Sequence, residues 1–189
     1  MIVVFGGAFN PPTIAHYEIA KHVLGQLNVE QLLFMPVGDQ YKKAGLIPAF
    51  HRVKMLEILG SQLPNTSVSK IEVEAERPLK TIETLEKLRA MHPNSEIAFM
   101  MGADNLHDLT KWHAYERLVK AFKIIIFNRN GLDVSDIIKN HFEFAPGHFI
   151  VMNDFSKLNI SSSQYRTDIT KNELLLADVE KYIKDHDLY

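Results

Sequence analysis

Short unbroken apolar runs alternate with stretches of helical periodicity from one end of this 189-residue chain to the other, and that pattern limits its fold more than any other feature. Residues 2–5, 31–36, 67–73, 96–101, 123–127 and 149–152 read as strands. Ile97-Ala98-Phe99-Met100-Met101 and Ile124-Ile125-Ile126-Phe127 contain no polar position. Such runs fit strands covered on both faces, as in a parallel sheet, better than strands with one solvated side. Between them, Ile19, Ala20, Val23, Leu24 and Leu27 recur at helical spacing within 12–27, Val53, Leu56 and Leu59 within 48–59, and Ile82, Leu85 and Leu88 within 81–91. Thr170-Lys171-Asn172-Glu173 has capping-box spacing, and Val179, Tyr182 and Ile183 predict a last short helix. Strands alternating with helices predict an α/β protein with a mainly parallel, doubly wound sheet and helices on both faces. The expectation is one domain over 1–189, with a small helical part from about residue 160. Sheets of this kind bind ligands beyond the carboxyl ends of their strands.

Composition narrows the function classes. A chain that is 46% hydrophobic and 23% charged can bury one ordinary core. Net charge is −2 with cations scattered among acids, which argues against nucleic acid held by phosphate neutralisation but leaves small anions open. The absence of cysteine removes disulfides, thiolate metal sites and cysteine nucleophiles. Met1-Ile2-Val3-Val4-Phe5 leads straight into Gly6-Gly7 without a basic n-region, so no signal peptide is expected. No run approaches the roughly 18 apolar residues of a membrane span, and the cytoplasm is the expected location. Nothing in the pattern sets the oligomeric state, and a homo-oligomer is compatible with it.

The segment Gly6-Gly7-Ala8-Phe9-Asn10-Pro11-Pro12-Thr13-Ile14-Ala15-His16 follows the first strand and opens the first helix. Two glycines permit a sharp turn and close approach of a ligand, and the prolines stiffen the entry, with Pro12 expected at the first helical position. Thr13 and His16 are three apart and share the face of a helix's first turn, where free N–H groups favour phosphate. An ordinary turn with a surface histidine would look similar if the glycine pair stood alone.

Three hydroxyls in Ile160-Ser161-Ser162-Ser163-Gln164-Tyr165-Arg166 offer helix caps or phosphate donors, and Arg166 a charge-assisted fork. Gly102 closes a strand, Asp104 could accept from a ribose, and Trp112, the single tryptophan, could stack on a heteroaromatic ring or belong to the core.

Taken together these strings resemble the nucleotidyltransferase superfamily, with its Thr-x-x-His form of the first signature and its Ile-Ser-x-x-x-x-Arg second one. Within it the chain is similar to the bacterial nicotinate mononucleotide adenylyltransferases over nearly its whole length, residues 132–148 excepted. The resemblance implies a Rossmann-like nucleotidyltransferase fold and an enzyme that joins ATP and nicotinate mononucleotide into deamido-NAD and pyrophosphate. It implies that Gly6, Gly7, Ala8, Phe9, Gly102, Asp104, Ile160, Ser161, Ser162 and Ser163 meet ATP. Thr81-Ile82-Glu83-Thr84-Leu85 resembles the segment that meets the nicotinate carboxylate, with Trp112 stacking on the pyridine ring and His113 and Arg129 beside it. Lys42 and Lys43 stand where the family has a phosphate-contacting lysine, so His16, Thr13, Lys42 and Arg166 are the implied catalytic set, with Lys43 toward the mononucleotide. Mg²⁺ would be carried chiefly by the ATP phosphates, with no all-protein metal cage.

Departures from the family pattern are Thr13 for the commoner histidine, Lys80 for a tyrosine, Asn130 for a proline, and the loss of Pro-Pro-His before the lysine. They bear on nicotinate against nicotinamide, since eukaryotic relatives using the amide also carry threonine at the position of Thr13. Other adenylyl- or cytidylyltransferases, or a nucleotide sensor without catalysis, are the rival readings.

Overall fold

The structure is a computed structural model, and it describes residues 1–128, 132–153 and 160–189. Strands β1 (Ile2–Gly7), β2 (Gln31–Pro36), β3 (Thr66–Val68), β4 (Ile97–Gly102), β5 (Lys123–Phe127) and β6 (Phe149–Met152) form a sheet of order β3-β2-β1-β4-β5-β6. The helices are α1 (Ile14–Gln26), α2 (Ala49–Gly60), α3 (Thr81–Met91), α4 (Tyr115–Ala121), α5 (Val134–His141), α6 (Ser162–Thr167) and α7 (Ala177–Asp185). Strand order reverses between β1 and β4, the switch point of a Rossmann-like sheet.

The chain divides into two compact units, one of Met1–Phe5 with Leu79–Leu158 and one of Gly6–Pro78 with Asn159–Tyr189. In the first, β1, β4, β5 and β6 pair in parallel, with Phe5 opposite Met100, Gly102 opposite Phe127 and Ile126 opposite Val151. Every residue of β4 is buried, as are Ile124, Ile125 and Ile126, so the apolar runs are covered strands. In the second, β2 and β3 pair in parallel, Phe34 opposite Val68. Helix α2 buries Val53, Met55, Leu56 and Leu59.

Three local expectations are corrected. The strand expected over 67–73 ends at Val68. Its register would set residue 70 against Pro36, which has no N–H to continue the ladder. The chain turns there instead, with Glu74 N–H donating to the Lys70 carbonyl. Thr170 does not begin a helix, because its N–H and hydroxyl both donate to Asp168 Oδ1 at 3.1 and 2.6 Å. That local turn competes with helical pairing, and α7 begins only at Ala177. Pro12 lies ahead of α1, whose N-cap is Thr13.

Candidate active site

In the second unit β1 runs out at Gly6-Gly7 and the chain turns through the residues before Thr13. A Cβ on Gly7 would lie 3.2 Å from the Phe9 ring, so this glycine is required by packing inside the loop. Phe9 sits at φ 48°, a left-handed conformation that a non-glycine residue adopts only when its surroundings compensate. Here the compensation is burial, with the ring edge-on to His16 at 5.1 Å and to Phe34 at 5.9 Å between centroids.

Four carbonyls of this loop are engaged by the protein. Gly7 O accepts from Val37 N–H at 3.1 Å, Ala8 O from Arg52 Nη1 at 3.1 Å, Asn10 O from Arg166 Nη1 at 2.6 Å, and Pro11 O from Ser162 Oγ at 2.7 Å. Two of these donors are guanidinium groups. A loop whose oxygens are tied to cations and hydroxyls is poor in negative potential, which suits an anionic ligand.

His16 stands at the third position of α1. Its Nδ1 accepts the Thr13 backbone N–H at 2.9 Å and lies 2.9 Å from the Thr13 hydroxyl. This is a capping box in which imidazole replaces the usual Glu or Gln. A ring nitrogen that accepts an N–H holds no proton, so Nε2 carries it and is a donor. Thr13 is 1% exposed, and its hydroxyl orients the ring.

Each of the three serine hydroxyls has a partner within the protein. Ser161 caps α6, its N–H donating to Gln164 Oε1 at 2.6 Å and its Oγ accepting from Gln164 N–H at 3.3 Å. Ser162 donates to Pro11, and Ser163 Oγ accepts from Arg166 Nη2 at 3.1 Å. Arg166 thereby spans Asn10 and Ser163 beside the loop, and Ile160 is half-buried. Lys42 and Lys43 are exposed in the segment between β2 and α2.

Sequence reasoning gave no role to Asn10, Arg52 or Tyr189. Arg52 is 0% exposed in α2 and donates through Nε to Ile47 O at 2.9 Å and through Nη2 to Asp39 Oδ1 at 3.4 Å. Burial pulls its pKa below the usual arginine value, and Asp39 works in the opposite direction. Its signal was present: an arginine four before Leu56 and seven before Leu59, on the apolar stripe of a helix. Tyr189 donates to Asn10 Oδ1 at 2.9 Å, and burial pushes its phenol well above the usual range, keeping that proton in place.

In the first unit Gly102 closes β4, and Asp104 follows in the 3₁₀ turn Ala103–Asn105. A Cβ on Gly102 would collide with Asp104 Oδ1 and lie 3.3 Å from the Phe127 ring, so the glycine makes room for the carboxylate to fold back. Trp112 is half-buried, with its indole edge-on to Phe99 at 6.0 Å, and is therefore not a core residue; His113 beside it is exposed. Thr81 is the first residue of α3 and half-buried, while the Ile82 side chain is wholly in the core. Arg129 lies outside the described residues.

A parallel sheet of this order, a glycine loop followed by a capped histidine, and a match of residues 4–168 to the cytidylyltransferase-like family define a nucleotidyltransferase. The chain is 32% identical to the probable nicotinate-nucleotide adenylyltransferase of Carboxydothermus hydrogenoformans, over 100% of this chain and 97% of that one. It is 28% identical to the nicotinate-nucleotide adenylyltransferase of Bacillus subtilis over the same shares of both chains. The chain belongs to the nicotinate-nucleotide adenylyltransferase family. Its fold is that of a solved structure of Plasmodium falciparum nicotinic acid mononucleotide adenylyltransferase complexed with NaAD, with TM-score 0.80 at 24% identity, covering 100% of this chain and 96% of that one.

No helix among the described residues is long and apolar enough to cross a membrane.

Proposed function

We propose that this protein transfers AMP from ATP to nicotinate mononucleotide, giving deamido-NAD and pyrophosphate for NAD biosynthesis. The mononucleotide's 5′-phosphate oxygen attacks the α-phosphorus in line. A P–O bond forms there as the bond to the β-phosphate oxygen breaks, and pyrophosphate leaves with the electron pair. A phosphate ionised at neutral pH needs no protein nucleophile and no strong base. Catalysis is positioning plus stabilisation of charge.

The observation that carries this reading is the bond from Thr13 N–H to His16 Nδ1, which makes Nε2 a preset donor for the α-phosphate oxygens. Lys42 or Lys43 and Arg166 hold the departing phosphates. Gly6, Gly7, Ala8 and Phe9, the segment 160–163, Gly102 and Asp104 receive the ATP. Thr81 and the backbone at Ile82 meet the nicotinate carboxylate, and Trp112 stacks on the pyridine, with His113, Lys43 and Arg129 on the mononucleotide side.

The side chains gathered at the loop, His16, Thr13, Ser162 and Arg166, are donors rather than carboxylates. Among the described residues no group of three or more His, Asp or Glu is placed to hold a metal. A Mg²⁺ ion carried by the triphosphate would supply further charge neutralisation to the leaving group.

The test is pyrophosphate release by the purified protein from ATP, Mg²⁺ and nicotinate mononucleotide, with deamido-NAD identified by mass. No pyrophosphate from any pyridine mononucleotide removes the assignment.

A further inference from the structure

Asn10 is 4% exposed and uses every polar atom of its amide. Nδ2 donates to the Gly45 carbonyl at 2.7 Å, and Oδ1 accepts from Ile47 N–H at 3.2 Å and from the Tyr189 hydroxyl at 2.9 Å. From the opposite direction Arg52 donates to the Ile47 carbonyl at 2.9 Å and to the Ala8 carbonyl at 3.1 Å. The backbone N–H and C=O of Ile47 are therefore each held by a different side chain, one from the glycine loop and one from α2. Residues 8–10 and 45–47 are cross-linked by two buried polar groups, each of whose nitrogen and oxygen atoms has a partner. Such groups specify geometry strongly, because displacing one leaves a buried partner unpaired. The segment 38–47, which these two groups hold at its far end, also carries the exposed Lys42 and Lys43.

We infer that Asn10 and Arg52 are positioning residues that brace the lysine segment against the glycine loop, so that the groups on the two sides of the scissile phosphate bond are held as one rigid pair. Neither side chain touches substrate; each acts through Ile47 and, for Asn10, Gly45. This rests on the proposed role of the lysines at the departing phosphates.

Two measurements test it. In amide hydrogen exchange of the wild type and Asn10→Ala, the amides of residues 46 and 47 should exchange at least about tenfold faster in the variant, with α1 and α2 unchanged. In steady-state assays Asn10→Ala should lower kcat by about 10- to 100-fold with little change in KM for the mononucleotide, since small misplacements of oriented groups cost rates of that order. In a Lys42→Ala/Lys43→Ala background the same change should cost less than about threefold, because what it positions is gone. Asn10→Leu, which keeps much of the volume but removes both the acceptor for Ile47 N–H and the donor to the Gly45 carbonyl, should show the same pattern. It serves in place of Asn10→Ala if that variant does not fold.

Unchanged exchange at 46 and 47 overturns the brace. Rate losses that multiply fully in the lysine-free background overturn the brace's role at the lysines, because Asn10 then acts on turnover by another route. If the wild type releases no pyrophosphate, the transfer reading falls with the catalytic half of this inference, while exchange still decides the brace.

Discussion

The backbone N–H of Thr13 donates to Nδ1 of His16 at 2.9 Å, and one hydrogen bond thus caps α1 and sets the tautomer of the imidazole. Helix capping is usually a matter of stability alone. Here the cap partner is also the group proposed to meet the α-phosphate, so local helix chemistry and catalytic preorganisation coincide. Phe9 packs edge-on to the same ring from its left-handed position, at a centroid distance of 5.1 Å.

His16→Ala should lower kcat by about 10²–10³-fold, the usual cost of removing one preorganised donor, and change KM for ATP only a few-fold. The lost cap costs on the order of 1 kcal/mol, too little to unfold the protein, and circular dichroism should be unaltered. Turnover within a few-fold of wild type would take His16 out of the mechanism.

Trp112→Ala should raise KM for the mononucleotide by about tenfold or more and leave that for ATP nearly unchanged. Stacking on an aromatic side chain is worth about 1–3 kcal/mol. Because the indole is half-buried and touches Phe99 only edge-on, the variant should keep its fold. Equal losses for both substrates would place the tryptophan outside the pyridine site.

Nicotinate mononucleotide should be preferred to the nicotinamide form by at least about tenfold in kcat/KM. Thr81 and the first turn of α3 are proposed to donate to both oxygens of a carboxylate, whereas an amide would set its own NH₂ against one of these donors. Such a mismatch costs about 1–3 kcal/mol. Equal or reversed values of kcat/KM would end the acid-specific assignment and leave adenylyl transfer standing.

His51, whose Nδ1 lies 3.0 Å from the Tyr182 hydroxyl, has its pKa pulled below 6.5 by burial and then by His186. The unfolded chain, at the ordinary value, takes up this proton first as pH falls. Stability from this group is therefore full above the unfolded value and declines as pH drops through it toward the lower folded one. Urea unfolding of wild type and His51→Gln between about pH 7.5 and about pH 5.5 should give a difference curve that slopes in that sense, bracketing an ordinary histidine. A flat difference assigns the pH dependence elsewhere.

What the sequence alone determined is what neighbours along the chain determine. Unbroken runs such as Ile124-Ile125-Ile126 announced covered parallel strands, and the spacing of Ile82, Leu85 and Leu88 marked α3 at its observed bounds of Thr81–Met91. The loop from Gly6 to His16 was legible because its chemistry lies in consecutive residues. Tertiary structure decided what pairing between distant segments decides. Pro36 ended β3 from the neighbouring strand, and the Phe9 ring packs against Gly7. The serines at 161–163 were turned to Gln164, Pro11 and Arg166. Asn10 meets Tyr189 across 179 positions of sequence, and Arg52 meets Ala8 across 44. Periodicity records which face of an element is apolar, and it is silent on which buried polar group will satisfy which. That choice is made only when desolvation forces every buried donor and acceptor to find a partner in the folded chain.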